Sequence, residues 1–327
     1  MNYNQHPEIK KLTPTSDAFS TGCSFSIMNY DTDFFELIRN GTVKVHLADL
    51  SHLSPGKVHL EDAQKKVLDS DGLMCVTGWE HMSAIKFLPE GIDQRIGLSY
   101  NPSKESASNG SLAGQQSLLE RADKEIQDRF PQLKIPGKFN PSYVPLTETK
   151  GFSVQEGNLG APTLPHTAMM LYHLMVPGTP EFLRTKDLAF AGSIMNFSNV
   201  LSSHLQGLWI SAYFDGKLVR DPSTAVMSSP LEKLNSPGLT EHRTIMTLEQ
   251  VQYETVLHNR FGKWRYPNDP GAISPDFVFE AVPYLDMLLA DLGLKVHRKG
   301  GWFKEIFSAY GPEDFRDVNE EWQRKFG

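Results

Sequence analysis

The side chains best suited to chemistry in this chain are histidines, aromatics and amides placed next to glycine or proline breaks. Pro165-His-Thr-Ala-Met-Met-Leu-Tyr-His173 brings His166, Tyr172 and His173 into one short stretch. In a helix, His166 and His173 would share a face, as a pair of metal ligands can. No carboxylate or third histidine completes a ligand set nearby, so no metal is expected. Met169, Met170, Met175 and Met195 offer soft apolar surface, either for a cavity wall or for ordinary core. Asn196 can donate to a carbonyl or cap the helix that follows it. Nucleophilic catalysis is not signalled, because there is no G-x-S-x-G elbow and Cys75 sits in an apolar run. A dinucleotide cradle is missing too. It would need a tight glycine turn that lets backbone N–H groups reach the pyrophosphate, and no G-x-G-x-x-G occurs in the sequence.

The elements that position these groups follow from periodicity and punctuation. Asp31 to Arg39 reads as a short helix, with Asp31 as N-cap and Gly41 as the C′ residue. Val43 to Ala48 alternates as a half-buried strand does, and Lys57 to Leu60 is a second strand entered through Pro55-Gly56. Gly72 to Val76 reads as a buried strand ending at Thr77-Gly78. Residues 87 to 115 are loop-like, and Ser117 to Phe130 is a helix stopped by Pro131. Prolines at 131, 136, 141, 145, 162 and 165 forbid long regular elements there, which suggests an extended excursion or lid. Leu188 to Ala191 is a short strand closed by Gly192. The helix after it sets Leu201, Leu205, Leu208, Trp209, Ala212 and Tyr213 on one face, up to Asp215-Gly216. Thr247-Leu-Glu-Gln250 is a capping box. Phe277 to Leu292 is apolar and helical across Pro283, and Pro312 opens a last helix through Trp322. The expected fold class is α/β, with residues 1–115 carrying the α/β part and 116–327 a mainly helical region. The two are expected to pack together.

Composition narrows the function further. The 327 residues carry a net charge of −7, from 32 basic and 39 acidic side chains. That gives no attraction for phosphates, so nucleic acid is not an expected partner. The two cysteines, Cys23 and Cys75, make no disulfide framework and fit a reducing compartment. No secretory signal and no membrane-spanning run is visible, so a cytoplasmic protein is expected. Oligomeric state is not legible.

In order along the chain, several segments resemble fungal flavin-containing, Baeyer–Villiger-like monooxygenases. Asn29 to His46 resembles that family's late pyridine-nucleotide region. Cys75-Val-Thr-Gly-Trp79 resembles its A-T-G-[WY] hinge, and Phe87 to Asp93 is similar as well. Phe190-Ala-Gly192 resembles the strand returning to the flavin domain. Ser203-His-Leu-Gln-Gly-Leu-Trp209 resembles the A-E-x-Q-A-x-W helix, with His204 in place of Glu. Asp291 to Gly300 and Tyr310 to Phe315 resemble the tail. The resemblance covers nearly the whole chain but only the C-terminal portion of the family, so the fold is expected to be a remnant of its nucleotide-binding architecture.

The resemblance places His204 on a helix that faces flavin in the family, where it would donate to substrate or simply meet solvent. Gln206, two residues on, would brace backbone. Trp79 and His81 follow the hinge and would sit at a junction, or else be a packing Trp and an exposed His. The expected catalytic pair is therefore His204 and Asn196. The expected substrate-binding residues are Trp79, His81, Met169, Tyr172, His173, Met195 and Trp209. No residue is assigned to a cofactor or metal.

A family pocket without a flavin cradle implies a cofactor-independent cyclase of fungal secondary metabolism. Its chemistry would be [4+2], Diels–Alder-type closure of an apolar terpenoid or polyketide, driven by orientation and one hydrogen bond. Two alternatives stand beside it: a truncated or degenerate FAD/NADPH-dependent monooxygenase, and a non-catalytic binding protein for an apolar metabolite.

Overall fold

A computed structural model describes residues 3–13, 31–61, 64–76, 85–100, 115–135, 167–194, 198–227, 244–266 and 277–326. It is a mixed α and β protein that divides into two compact units.

Among the described residues the first unit holds a one-turn helix at Pro7–Lys10, a second short helix and a three-stranded meander. Helix α1 (Phe34–Arg39) is capped by Asp33, whose carboxylate accepts from Phe35 N–H at 2.9 Å, so the cap lies two residues after the expected Asp31. Gly41, at φ 78°, closes the helix as expected. Strands β1 (Asp49–Ser54), β2 (Lys57–Glu61) and β3 (Val67–Asp69) pair antiparallel in the order β1-β2-β3. Gly56, at φ 69°, makes the first turn. Two expected strands are absent. Val43 to Ala48 is irregular, and pairing starts only at Asp49. Gly72 to Val76 is irregular and exposed, with Met74 and Val76 each 87 % accessible. Among the described residues no strand lies beside this apolar run to complete a ladder, and Cys75 is exposed instead of packed.

The second unit is mainly helical. Helix α2 (Gln116–Arg129) lies against α4 (Leu248–Arg265), burying Ala122, Ile126 and Val256. Asp123 of α2 anchors that contact, accepting from Arg260 Nε at 2.6 Å and Trp264 Nε1 at 2.8 Å. The capping box opening α4 is complete. Gln250 N–H donates to Thr247 Oγ1 at 3.2 Å, and Thr247 N–H donates to Gln250 Oε1 at 2.8 Å.

Helix α3 (Asn199–Phe214) buries Leu205, Trp209, Ala212 and Tyr213, the face read from the sequence, and packs on α5 (Ala281–Asp291). Pro283 falls in the first turn of α5, where it disrupts no hydrogen bond. Pro312 opens a 3₁₀ turn, not the last helix, which is α6 (Val318–Phe326). Residues 87–100 include a short helix at Ile92–Ile96 that the loop reading missed. Leu188 to Ala191 forms no strand, although Phe190 N–H donates to Met175 O at 2.7 Å.

The hairpin of β4 (Leu171–Tyr172) and β5 (Val176–Pro177) lies at the centre of this unit, with every residue from Leu171 to Val176 fully buried. The helical reading of the His173 stretch is thereby corrected. Alternation across a tight turn, and not a 3.6-residue period, organises it.

Candidate functional site

The hairpin turn carries two strained residues in succession. His173 and Leu174 have φ of 49° and 63°. Two successive left-handed residues make a type I′-like turn, which sequences ordinarily fill with Asn-Gly. Holding a residue with a Cβ there costs about 1–2 kcal/mol. Such strain persists only where the surroundings over-determine it, and it concentrates at functional sites.

Three elements hold the turn. Tyr284 of α5 donates its hydroxyl to the His173 carbonyl at 3.1 Å. That hydroxyl accepts from Gln206 Nε2 of α3 at 2.8 Å, and Gln206 Oε1 accepts from Gly192 N–H at 2.9 Å. Gln206 therefore braces backbone, the role expected for it, and ties α3, α5 and the hairpin together. Burial pushes the Tyr284 phenol up, so it remains a neutral donor.

The His173 ring is packed between Tyr172 (centroids 3.8 Å apart), Trp209 (6.0 Å) and His258 (5.3 Å, stacked). Its Nε2 lies 2.8 Å from Asp291 Oδ2, close enough for an ion pair but without the alignment of a hydrogen bond. The same carboxylate oxygen accepts from Trp209 Nε1 at 3.0 Å. Asp291, fully buried at the end of α5, thus faces both rings. Tyr172 donates weakly to Glu254 at 3.4 Å, and burial, with Asp291 and Glu254 adding to it, raises its phenol well above the usual range.

Beyond His173 a pocket of about 490 Å³ opens. Helix α4 contributes His258, Phe261 and Arg265, spaced i, i+3, i+7. Glu280, Pro283, Tyr284 and Met287, on and just before α5, are spaced i, i+3, i+4, i+7. Phe130, Leu133, Phe277 and the exposed Gln132, which adds an uncharged amide, complete the wall. The aromatic rings form a continuous row: Phe130 on Phe261 (5.7 Å), Phe261 on Phe277 (6.0 Å) and Phe277 on Tyr284 (5.7 Å). Arg265 Nε donates to Glu280 Oε1 at 2.7 Å, so the charges lining the pocket neutralise each other. Burial pushes His258 down to about 3, with His173 and Arg220 adding to the effect. Its ring is therefore neutral at physiological pH.

The sequence-predicted residues divide. Tyr172, His173 and Trp209 come together as a buried cluster behind the pocket. Met169 is half-buried, with its carbonyl accepting from Asn259 Nδ2. His204 is exposed on α3 and is not part of that buried cluster. Trp79, His81, His166, Met195 and Asn196 lie outside the described residues. His258, Asp291 and the pocket wall escaped the sequence reading. Their signal was the i, i+3, i+7 spacing on two helices, and an acid at the C-terminal end of an apolar helix, where the macrodipole disfavours it. Among the described residues no cluster of His, Cys, Asp and Glu is fit to hold a metal, and no helix is long and apolar enough to cross a membrane.

Curated relatives now place the chain. It is 24 % identical over 323 residues to an FAD-dependent monooxygenase of Aspergillus sclerotiorum, covering 98 % of this chain and 47 % of the relative. It is 25 % identical over 327 residues to one of Aspergillus nomiae, with the same coverage, and 24 % identical to one of Alternaria brassicicola. The chain is thus a relative of the fungal FAD-dependent monooxygenases and spans about half the length of the curated relatives it matches. No family model matches it, and no solved structure does.

These names correct one expectation. A non-redox cyclase is not what the relatives are, since they carry the names of redox enzymes. They also imply FAD, and the described residues do not fit its pyrophosphate. Gly192, which precedes α3, has its N–H occupied by Gln206, and the sequence has no dinucleotide glycine motif.

Proposed function

We propose that this chain provides the small-molecule-binding portion of a flavin-dependent monooxygenase-type system of fungal secondary metabolism, with the flavin held by residues other than this chain's, whose sequence has no dinucleotide glycine motif. The observation carrying this reading is the aromatic-walled pocket of about 490 Å³. It has the size and apolar lining of a small-ligand site, with few polar groups to fix orientation. On this reading the α/β elements before residue 115 derive from the family's pyridine-nucleotide and flavin region. Residues 116–327 form the substrate side, and the protein works in the cytoplasm on an uncharged apolar metabolite. A second reading, a binding protein that holds such a metabolite without turning it over, is favoured by the same pocket and by the lack of a fitting pyrophosphate site among the described residues.

Two measurements on the purified chain test the proposal. Titration with the neutral probe N-phenyl-1-naphthylamine is expected to give saturable one-to-one fluorescence, and Met287→Trp, which fills the pocket, is expected to abolish it. Incubation with FAD followed by gel filtration is expected to leave the protein colourless. Probe binding unaffected by Met287→Trp would remove the pocket from the proposal, and stoichiometric retained flavin would remove the claim that the flavin is held elsewhere.

A further inference from the structure

The two nitrogens of His258 have different surroundings. Nδ1 is sealed inside the protein and has no hydrogen-bond partner. No hydrogen bond engages Nε2 among the described residues, and the ring lines the pocket, which leaves Nε2 on the pocket side. A buried N–H without an acceptor is rarer and costlier than a bare ring nitrogen, so the proton of the neutral ring belongs on Nε2. From this geometry we infer that His258 is the specificity-determining residue of the pocket, donating Nε2–H to a single acceptor oxygen, a carbonyl or ether, on an otherwise apolar aromatic or polyene ligand.

The rest of the wall agrees with that ligand. Phe130, Phe261, Phe277 and Tyr284 offer ring faces and edges to a flat conjugated skeleton. The Tyr284 hydroxyl already accepts from Gln206 and donates to the His173 carbonyl, so it does not compete for the oxygen. Arg265 is paired with Glu280, which leaves no net charge to recruit an anionic ligand. The neutrality of His258 serves the same end. A charged imidazolium would draw carboxylates, whereas the neutral N–H selects uncharged oxygen. His258 is a binding residue in this inference, and no bond-making step is assigned to it.

The inference rests on the pocket being the ligand site of the proposed function, and the test separates the two. Two probes of nearly the same shape, 2-acetylnaphthalene and 2-ethylnaphthalene, differ in one carbonyl oxygen. Calorimetry on the full chain is expected to show the ketone binding roughly tenfold more tightly, the ratio one net hydrogen bond confers. In His258→Phe that preference is expected to fall to near unity, while 2-ethylnaphthalene binds as before. The infrared carbonyl band of bound 2-acetylnaphthalene is expected at lower frequency than in hexane. Equal binding of the two probes to the wild-type chain, a preference that survives His258→Phe, or an unshifted carbonyl band each overturns the role of His258 and leaves the pocket standing. The band is read on the wild-type protein, so an unshifted band overturns the role of His258 even if the variant does not fold. Gln132 also lines the pocket, and Gln132→Leu is expected to keep both the shift and the preference, their loss there overturning the role as well. Failure of either probe to bind overturns the pocket reading and this inference with it.

Discussion

At the scale of single residues, the determining fact is that His258, a half-buried ring with its Nδ1 sealed from water, is held neutral by desolvation. Its folded-state value, about 3, lies below the ordinary histidine value near 6.5. Between those limits the unfolded chain takes up a proton that the folded protein refuses. Stability tied to this residue is therefore intact above pH 6.5 and declines as pH falls toward 3, by about 1.4 kcal/mol per unit within that window. His258→Phe keeps the ring and removes the proton site. Its urea midpoint is expected to gain on the wild-type midpoint steadily from pH 6.5 to pH 4, and to track it above pH 7. Parallel midpoints across the whole range would show that His258 titrates as an exposed histidine. Tyr172, His173 and Trp209 were singled out in the sequence as substrate-binding residues; they form a fully buried cluster and do not line the pocket, and a hairpin, not the helical spacing, brings the first two together. His258 was not singled out, because its significance depends on His173, which lies far away in the sequence and reaches it only through the buried hairpin.

Elements differ in how far local signals determine them. The Thr247 capping box, the Gly41 helix end and the buried face of α3 were legible because each depends on contacts within about one turn. Strands were less legible. The alternation from Val43 to Ala48 and the apolar run from Gly72 to Val76 have suitable composition, but neither has a neighbouring strand, among the described residues, to complete its hydrogen bonds. The pocket wall illustrates the same division. The spacing on α4 and α5 is visible in each helix, but that the two stripes face one space is a property of the packing. Gln206 shows what joins the elements. Gln206→Leu keeps the volume but removes the acceptor of the Gly192 N–H and the donor to the Tyr284 hydroxyl. Gly192 is exposed, so its N–H can turn to water, and the Tyr284 hydroxyl keeps its bond to the His173 carbonyl; the loss is expected to be about 1–2 kcal/mol, read as a lower urea midpoint with little change in its slope. A loss under about 0.5 kcal/mol would show that water replaces both bonds.

For the molecule as a whole, relatedness to FAD-dependent monooxygenases coexists with a sequence that has no dinucleotide glycine motif and aligns with about half of those proteins. The described part has an aromatic-walled pocket, and behind it a strained turn held by side chains from α3 and α5. That turn has a consequence for the autonomy of the hairpin. His-Leu at its corner is a poor local instruction for reversing the chain, so the hairpin cannot template itself. A synthetic peptide spanning residues 167–180 is expected to stay disordered in water by circular dichroism. The same peptide carrying both His173→Asn and Leu174→Gly is expected to gain measurable hairpin content, because asparagine and glycine tolerate what His173 and Leu174 endure only under restraint. The bend at the centre of this unit is thus expected to persist only with Tyr284 in place on the His173 carbonyl and Gln206 behind it.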